Sequence, residues 1–209
     1  MILLGAAAGF LLGSVPWALV LGKGLHGVDV RQRGSRNLGA TNAFRVLGAR
    51  TGAAVLALDV LKGWGAVRVA QWLAAGAADP AAAGVAGGLG AVLGHVFSPW
   101  VGFRGGKGVA AAAGCFGALA PAATLLAAAA WVVVVALTRT VSVGSLAAAA
   151  VLAVGVWVPV DGLGAKAAVV RWLALAVGAL VVVRHIPNLR RLVRGEEPRV
   201  RLGRSAGEA

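Results

Sequence analysis

Long apolar stretches separated by short polar segments dominate the chain. The apolar stretches cover roughly residues 2–22, 52–74, 81–101, 109–137, 141–160 and 166–184. A helix of about 20 residues crosses the hydrocarbon core of a bilayer, and most of these stretches have that length. The polar segments between them are too short to form a soluble domain. The pattern therefore predicts an all-α, polytopic membrane helical bundle with one domain over residues 1–209.

The fourth apolar stretch is too long for a single span. Its 29 residues would form a helix about 43 Å long, against a hydrocarbon core of roughly 30 Å. Gly114, Gly117 and Pro121 lie near its middle, and proline disrupts a helix interior. We therefore predict two short helices, about 109–120 and 122–137, and seven spans in total.

Basic residues indicate the orientation of these spans. With seven spans and the N-terminus outside, the inner segments hold 16 of the 20 Lys and Arg residues, namely 23–50, 102–108, the turn at Arg139 and the tail from Arg184. Six spans would separate the basic tail from the first two basic loops, against the positive-inside rule. We therefore expect the polar loops and the C-terminus on the cytoplasmic face, with a mobile basic tail at about 195–209.

The net charge of +13 would suggest a nucleic-acid partner in a soluble protein. Here the basic residues flank apolar spans and are not interleaved with aromatic residues on a polar surface. Loop orientation and an anionic substrate both account for the charge. We expect no nucleic-acid partner.

The first polar segment of interest is GSRNLGATNAFR, from Gly34 to Arg45. Gly34 and Gly39 flank short polar side chains, and a helix-like run follows. Exposed N–H groups at a helix N-terminus favour anions, and the Arg45 guanidinium suits phosphate. The alternative is a polar turn in which Ser, Thr and Asn act as helix caps, and the loop chemistry alone does not decide between the two.

The second segment is FRGGKG, from Phe103 to Gly108. Three glycines within four residues raise the entropy lost on ordering, which is poor for a simple connector. Lys107 among them suggests a point charge directed at a phosphate. A flexible basic loop is the alternative.

Further polar side chains flank or interrupt the later spans. His185 follows the last span and can donate a hydrogen bond, act as a base or lie at the membrane interface. Asn188 is close enough in sequence to share its site. Ser142 and Ser145 lie on one face of a helix and are either caps or site residues.

The positions of the other ionisable residues indicate structural roles. Asp59 and Lys62 are three residues apart in or beside the second span and can pair there. His95 lies near the middle of the third span as a buried polar group, and His26 lies in a loop without a partner. The three separated histidines, one cysteine and scattered acids match no metal-ligand pattern, so we expect no metal.

These segments occur in an order that resembles a known family. GSRNLGATNAFRVLG, LDVLKG, LGHVFSPWVGFRGGKGVA, LTRTVSVGSL and HIPNLRRLVRGEEPR resemble the bacterial acyl-phosphate:glycerol-3-phosphate acyltransferases, the PlsY family. The resemblance covers nearly the whole chain. It implies a multi-pass enzyme of the bacterial cytoplasmic (inner) membrane, with seven spans and a cytosolic active site.

The resemblance also implies the reaction and its partners. A fatty acyl group moves from an acyl phosphate to the 1-hydroxyl of sn-glycerol 3-phosphate, giving lysophosphatidic acid and phosphate in phospholipid synthesis. No cofactor is implied, and the lipid-soluble donor implies contact with membrane lipid and an upstream enzyme that forms acyl phosphate. The alternative class is a membrane anion or phosphate transporter, but the charges collect at one face and no inverted repeat is visible.

The site residues follow from the same resemblance. The expected catalytic residues are Ser35, Asn37, Lys107 and His185, and the expected substrate-binding residues are Gly39, Thr41, Asn42, Arg45, Gly105, Gly106, Gly108, Ser142, Ser145 and Asn188. Arg36 departs from the family pattern, which has a smaller residue there, often glycine. We expect direct acyl transfer, with either His185 or the departing phosphate taking the proton.

Overall fold

The computed structural model describes residues 1–158 and 163–200, and regular structure in these ranges is entirely helical. The helices are α1 (Ile2–Ser14), α2 (Trp17–His26), α3 (Ala40–Leu73), α4 (Pro80–Val96), α5 (Val109–Leu119), α6 (Pro121–Thr138), α7 (Val141–Gly155) and α8 (Ala167–Val193). Short 3-10 turns cover Pro99–Val101 and Gly164–Lys166. The predicted all-α fold is confirmed.

Several of these helices suit a bilayer. Four stretches are long and apolar enough to cross one, namely Ile2–His26, Pro80–Val101, Pro121–Thr138 and Ala167–Val193. The helices α5 and α7 are apolar but shorter. The segment α3 carries charged side chains and consists of two helical stretches that meet at a kink, where Gly48 has φ 84° and ψ 175°. If α1 and α2 form one span, the described residues provide seven apolar segments, as predicted. The outside location of the N-terminus stays a prediction.

Small residues bring α1 and α4 into backbone contact. A Cβ atom added to Gly9 would lie 2.0 Å from the Gly87 carbonyl oxygen, and one added to Gly13 would lie 2.1 Å from that of Ala91. Such positions accept only glycine at this separation. Close approach of small residues is how membrane helices gain packing energy without a hydrophobic driving force.

The first span is broken, whereas the sequence predicted a continuous one. Val15 and Pro16 lie outside both α1 and α2 because proline lacks an N–H and disfavours helical backbone before it. The carbonyl groups at the break accept hydrogen bonds from side chains that are distant in sequence. Ser98 Oγ donates to the Ser14 carbonyl at 2.6 Å, and Lys62 Nζ donates to the Val15 carbonyl at 2.8 Å. Backbone groups at membrane depth require such partners.

The predicted break in the fourth apolar stretch is present. The helix α5 ends at Leu119 and α6 begins at Pro121, which occupies the first helical position where its missing N–H does no harm. Phe116 of α5 is fully buried in an apolar core that also includes Val92 of α4 and Val177 of α8. This core joins α4, α5 and α8.

The C-terminal segment differs from its predicted form. The motif that begins at His185 is part of α8, which continues to Val193 with Pro187 inside it. Beyond the helix, the Val200 amide donates to the Arg139 carbonyl at 2.7 Å. Residues 195–200 are therefore anchored, contrary to the mobile tail that we expected, and residues 201–209 lie outside the described part of the chain.

Candidate active site

Asn42 organises the first loop, which we define as Gly34–Arg45. Its Oδ1 accepts a hydrogen bond from the Ser35 amide at 2.8 Å, while Nδ2 donates to the carbonyl groups of Val30 at 3.0 Å and Arg33 at 3.2 Å. The side chain is completely buried. All three bonds go to the backbone that precedes α3, so Asn42 shapes the loop. The substrate contact that we expected from Asn42 stays a prediction.

Two residues of this loop adopt left-handed backbone conformations. Gly34 has φ +61° and Arg36 has φ +59°. Glycine reaches this region freely, whereas a residue with a Cβ atom is disfavoured there by about 1–2 kcal/mol. The smaller residue that the resemblance led us to expect at position 36 would suit this backbone, and in this chain Arg36 adopts the left-handed conformation.

The first loop leaves several polar groups available. Gly39 caps α3 with its carbonyl, which accepts from the amides of Asn42 at 3.1 Å and Ala43 at 3.2 Å, and no side chain caps the helix. Within the described residues, the amides of Ala40 and Thr41 have no hydrogen-bond partner. A helix N-terminus with free amides and its positive dipole end attracts anions.

Three predicted side chains lie at the surface of this loop. Ser35, Thr41 and Arg45 are exposed, and the Ser35 hydroxyl has no partner among the described residues. Asn37 is half-buried against the backbone of Gly39, where an added Cβ atom would lie 3.0 Å from the Asn37 Nδ2. These groups are therefore accessible to a ligand.

The second loop, which we define as Gly105–Gly108, packs on the end of α4. The Gly105 amide donates to the Val96 carbonyl and the Gly106 amide donates to the His95 carbonyl, both at 3.0 Å. These bonds satisfy two of the carbonyl groups that a helix C-terminus leaves unpaired. The two amides are thus unavailable to a phosphate, and these two glycines provide close packing in place of anion-binding N–H groups.

Arg184 of α8 holds the second loop from another side. Its Nη2 donates to the carbonyl oxygens of Gly105 and Gly106, each at 3.1 Å. Gly108 then turns the chain into α5 with φ +85°. Sequence reasoning missed Arg184 as a site residue. Its only signal in the sequence is its position directly before His185.

A buried carboxylate joins three predicted site residues. Lys107 Nζ donates to Asn188 Oδ1 at 2.5 Å, and Asn188 Nδ2 donates to Glu197 Oε1 at 2.6 Å. Ser142 Oγ also donates to Glu197 Oε1, and Arg191 Nε donates to Glu197 Oε2, both at 2.8 Å. The structure therefore brings Lys107, Ser142 and Asn188 together, as predicted, around a glutamate that we had not singled out.

The charge state of Lys107 reflects its crowded surroundings. Burial lowers the pKa of Lys107 to about 8, Glu197 opposes the decrease, and the positive charges of Arg191, Arg184 and Arg45 add to it. The influence of Arg45 means that the first and second loops share one electrostatic environment. An anion bound there would interact with several cations at once.

The carboxylate of Glu197 stays ionised despite its burial. Burial alone would raise its pKa, but hydrogen bonds from Asn188, Ser142 and Arg191 hold the pKa below the usual value. Only 6% of the side chain is exposed. A glutamate in a basic tail gives no local sequence signal for this role, because its partners come from α7 and α8.

His185 and Ser145 occupy different surroundings. The His185 ring is buried, and its Nδ1 lies 2.8 Å from the Val181 carbonyl, which can only accept, so Nδ1 carries the proton and Nε2 is left as an acceptor. Ser145 Oγ donates to the Val141 carbonyl at 2.9 Å and accepts from the Trp131 indole at 3.4 Å. Ser145 thus bonds within the α6–α7 pair, and its hydroxyl makes no hydrogen bond to Lys107, Asn188 or Glu197.

Asp59, Lys62, His95 and His26 each lie close to another polar side chain. The predicted pair of Asp59 and Lys62 is present, with Nζ 2.8 Å from Oδ1. His95 lies in the last turn of α4, not near its middle, and its Nδ1 is 3.6 Å from Asp59 Oδ1. His26 ends α2 and its Nε2 lies 2.8 Å from Thr51 Oγ1, which corrects the prediction that it lacks a partner. In the described ranges, no three His, Cys, Asp or Glu side chains are grouped to hold a metal.

The chain is similar to known proteins over nearly its whole length. The model of the glycerol-3-phosphate acyltransferase family matches residues 3–195. The chain is 47% identical to a glycerol-3-phosphate acyltransferase of Anaeromyxobacter sp. (strain Fw109-5), over 94% of this chain and 95% of the relative. It is 43% identical to the protein of that name from Geobacter sulfurreducens, over 92% and 94% of the two chains.

Solved structures show the same fold. The crystal structure of PlsY (YgiH), an integral membrane glycerol 3-phosphate acyltransferase in its glycerol 3-phosphate form, matches with a TM-score of 0.85 and 34% identity over 96% of each chain. Its lysophosphatidic acid form matches with a TM-score of 0.84, over 96% of this chain and 95% of that one. The chain is a multi-pass membrane protein, and it belongs to the glycerol-3-phosphate acyltransferase family.

Proposed function

We propose that this protein transfers a fatty acyl group from an acyl phosphate to the 1-hydroxyl of sn-glycerol 3-phosphate, giving lysophosphatidic acid and inorganic phosphate. The observation that carries the proposal is the cluster in which Lys107 contacts Asn188 beside Ser142 and Glu197. Arg45, five residues into α3 with its uncapped N-terminus, is close enough to act electrostatically on Lys107. Both substrates carry a phosphate group, so the site needs several cations and donors close together. The family relationship favours the same activity.

Phosphate binding is assigned to the two loops. Lys107 supplies a point charge, Arg45 a planar guanidinium fork, and Ser35 a hydroxyl without a protein partner. Ser142 and Asn188 act less directly, because both donate to Glu197 and Asn188 also accepts from Lys107. Asn188 thus holds the Lys107 ammonium group in place, and Ser142 supports it through Glu197.

The acyl transfer itself is a direct displacement. The glycerol hydroxyl oxygen attacks the acyl carbonyl carbon, the bond from that carbon to the phosphate oxygen breaks, and phosphate leaves with the electron pair. The free amides of Ala40 and Thr41 at the start of α3 are suited to stabilise the oxyanion that develops on the carbonyl oxygen. The donor is already activated, so positioning supplies much of the acceleration.

The hydroxyl proton has two acceptors within this scheme. The departing phosphate can take it, and we favour this route because the phosphate is already at the reacting centre. His185 Nε2 is the other acceptor, since Nδ1 is occupied by the Val181 carbonyl.

The acyl chain of the acyl phosphate lies in the membrane beside the site, and the site faces the cytoplasm of a bacterial inner membrane. An enzyme that forms acyl phosphate acts upstream.

Lys107→Ala tests this proposal. Purified protein in detergent is incubated with palmitoyl phosphate and glycerol 3-phosphate, and lysophosphatidic acid is quantified. We expect Lys107→Ala to lose at least about 100-fold in kcat/KM, as for the removal of one charged transition-state contact, while Lys166→Ala, an exposed lysine in a 3-10 turn, keeps wild-type activity. Product formed in detergent needs no second compartment, which separates an enzyme from a transporter. Wild-type protein that forms no product would refute the assignment.

A further inference from the structure

Three ionisable side chains lie buried behind the second loop without a role in the chemistry above. The side chains of Asp59, Lys62 and His95 are 1%, 5% and 5% exposed. Buried charges at membrane depth are costly and often mark functional sites. A purely apolar packing of α3 against α4 would avoid that cost, so the group calls for an explanation beyond helix association.

The group connects three parts of the fold. Lys62 Nζ contacts Asp59 Oδ1 on α3 and also donates to the Val15 carbonyl at the break between α1 and α2, each at 2.8 Å. Asp59 Oδ1 in turn lies 3.6 Å from His95 Nδ1 at the end of α4. The imidazole of His95 therefore lies beside a carboxylate that is paired with a lysine, although at 3.6 Å the ring and the carboxylate are not hydrogen-bonded.

The other side of the His95 ring faces the second loop. A Cβ atom added to Gly106 would lie 2.1 Å from His95 Nε2 and 3.0 Å from two ring carbons. The Gly106 amide also donates to the His95 carbonyl. One residue of α4 thus supports Gly106 through both its backbone and its ring, directly before Lys107 in the chain.

Arg184 Nη2 donates a hydrogen bond to the carbonyl oxygen of the same glycine, at 3.1 Å. The backbone of Gly106 is therefore held between the His95 ring and the Arg184 guanidinium. Lys107, the next residue, reaches Asn188 from this fixed point. A small displacement of Gly106 would move the ammonium group away from the site.

We propose that Asp59, Lys62 and His95 form a positioning unit for the second loop, in which the His95 ring sets the location of Gly106 and hence of Lys107. None of the three touches the reacting atoms, so each is a positioning residue. The inference rests on the proposed phosphate-binding role of Lys107. It predicts a specific dependence between His95 and Gly106, which an ion pair that served only helix association would not produce.

A double-mutant cycle with Gly106→Ala and His95→Ala tests this dependence. In the wild-type background, the new methyl group has no room against the ring, so Gly106→Ala should raise the KM for glycerol 3-phosphate and reduce kcat/KM by at least about 100-fold. The His95→Ala variant should also raise this KM, but removal of the ring leaves room for a methyl group at position 106. Gly106→Ala should then cost less than about tenfold in the His95→Ala background, a non-additivity of the size seen for residues in contact.

Gly117→Ala is the matched control, because a Cβ atom at this position in α5 meets nothing within 4 Å. Its small effect should be the same in both backgrounds. Should His95→Ala be too unstable to purify, His95→Asn serves in the same cycle, since the shorter amide also clears the space. Additive losses for Gly106→Ala and His95→Ala would overturn the proposal, even with a fully active wild type.

The cycle also separates this inference from the proposed function. If wild-type protein forms no lysophosphatidic acid, the acyltransferase assignment fails. The wild type and the three variants of the cycle are then compared by the shift in melting temperature that glycerol 3-phosphate produces in detergent. A shift lost in Gly106→Ala and regained in the double variant supports the positioning unit, and its absence from the double variant refutes it.

Discussion

The two glycine-bearing loops look alike in sequence but are held in different ways. The first loop is organised locally by Asn42, whose amide binds backbone groups within 12 residues of it. The second loop is held by parts of the chain that are distant in sequence, among them Arg184, whose bonds span 79 and 78 residues. The first loop therefore depends on one side chain and the second on the packing of α4 and α8 around it.

The largest effect is expected where the second loop contacts α4. A Cβ atom at Gly105 would lie 2.0 Å from the His95 carbonyl oxygen, and backbone cannot move aside as a side chain can. We expect Gly105→Ala to lose at least about 100-fold in kcat/KM, because displacement of the loop moves Lys107. Activity assays with glycerol 3-phosphate and palmitoyl phosphate measure the loss.

The first loop supplies the matched control for that variant. Gly39 has φ −116° and ψ 166°, which alanine adopts readily, and an added Cβ atom meets only Asn37 Nδ2 at 3.0 Å. Gly39→Ala should therefore lose less than about tenfold, since replacing a favourable N-cap residue by alanine typically costs about 1 kcal/mol and no clash with the backbone adds to that cost. Equal losses at Gly39 and Gly105 would contradict the difference between the loops.

The first loop should instead fail when its organising side chain is removed. Asn42→Leu keeps the branched shape but leaves the Ser35 amide and the Val30 carbonyl without their partner, and each buried unsatisfied group costs about 1–3 kcal/mol. The Arg33 carbonyl loses one of its two donors and keeps the Arg36 amide. We expect kcat/KM to fall by at least about tenfold and the melting temperature in detergent to decrease. Asn42→Asp keeps the acceptor for Ser35 and should fall between wild type and Asn42→Leu. Unchanged activity and stability in Asn42→Leu would show that other contacts order the loop.

This contrast also explains what could be predicted from the sequence. The apolar spans, the break at Pro121 and the pairing of Asp59 with Lys62 follow from local spacing. The grouping of Lys107, Ser142 and Asn188 followed from the family resemblance. Each of these features depends on residues close in sequence or on motifs long enough to compare.

Features that depend on distant partners were missed. The break at Pro16 is stable because Ser98 and Lys62 reach its carbonyl groups from 84 and 47 residues away. Glu197 lies at the centre of a polar cluster because α7 and α8 bring donors to it, and Pro187 does not end α8 despite its usual effect on helices. The contact between His95 and Gly106 likewise exists only after α4 and the second loop have packed.

The pH dependence of substrate binding sharpens the role of the second loop. The pKa of Lys107 is lowered by burial to about 8, so the ammonium form prevails below that pH and is lost above it. We expect kcat/KM for glycerol 3-phosphate to decline above pH 8 by about tenfold per unit, as for loss of one proton from the free enzyme. Lys107→Arg should remove this decline, because a guanidinium stays charged throughout the range.

The absolute activity of Lys107→Arg is expected to be low, since a planar fork does not replace an ammonium group in a confined site. The role of Lys107 is therefore tested by how kcat/KM changes with pH, and not by the absolute value of kcat/KM. Lys166→Arg, at an exposed position, should leave the decline intact. A decline that persists unchanged in Lys107→Arg would assign it to another group.

The smallest expected effect concerns the backbone of the first loop. Arg36 has φ +59°, and its exposed side chain forms no ion pair among the described residues. Arg36→Gly should relieve a left-handed penalty of about 1–2 kcal/mol, offset in part by the greater entropy of glycine in the unfolded chain, for a net gain of about 0.5–1 kcal/mol. Arg36→Ala removes the same charge without freeing the backbone and should give no gain.

Gly34→Ala should lower the stability, because Gly34 shares the left-handed conformation and an added Cβ atom would lie 2.4 Å from Asn42 Oδ1. Melting temperatures in detergent rank the three variants, and a gain in Arg36→Ala equal to that in Arg36→Gly would attribute the effect to charge and not to backbone conformation.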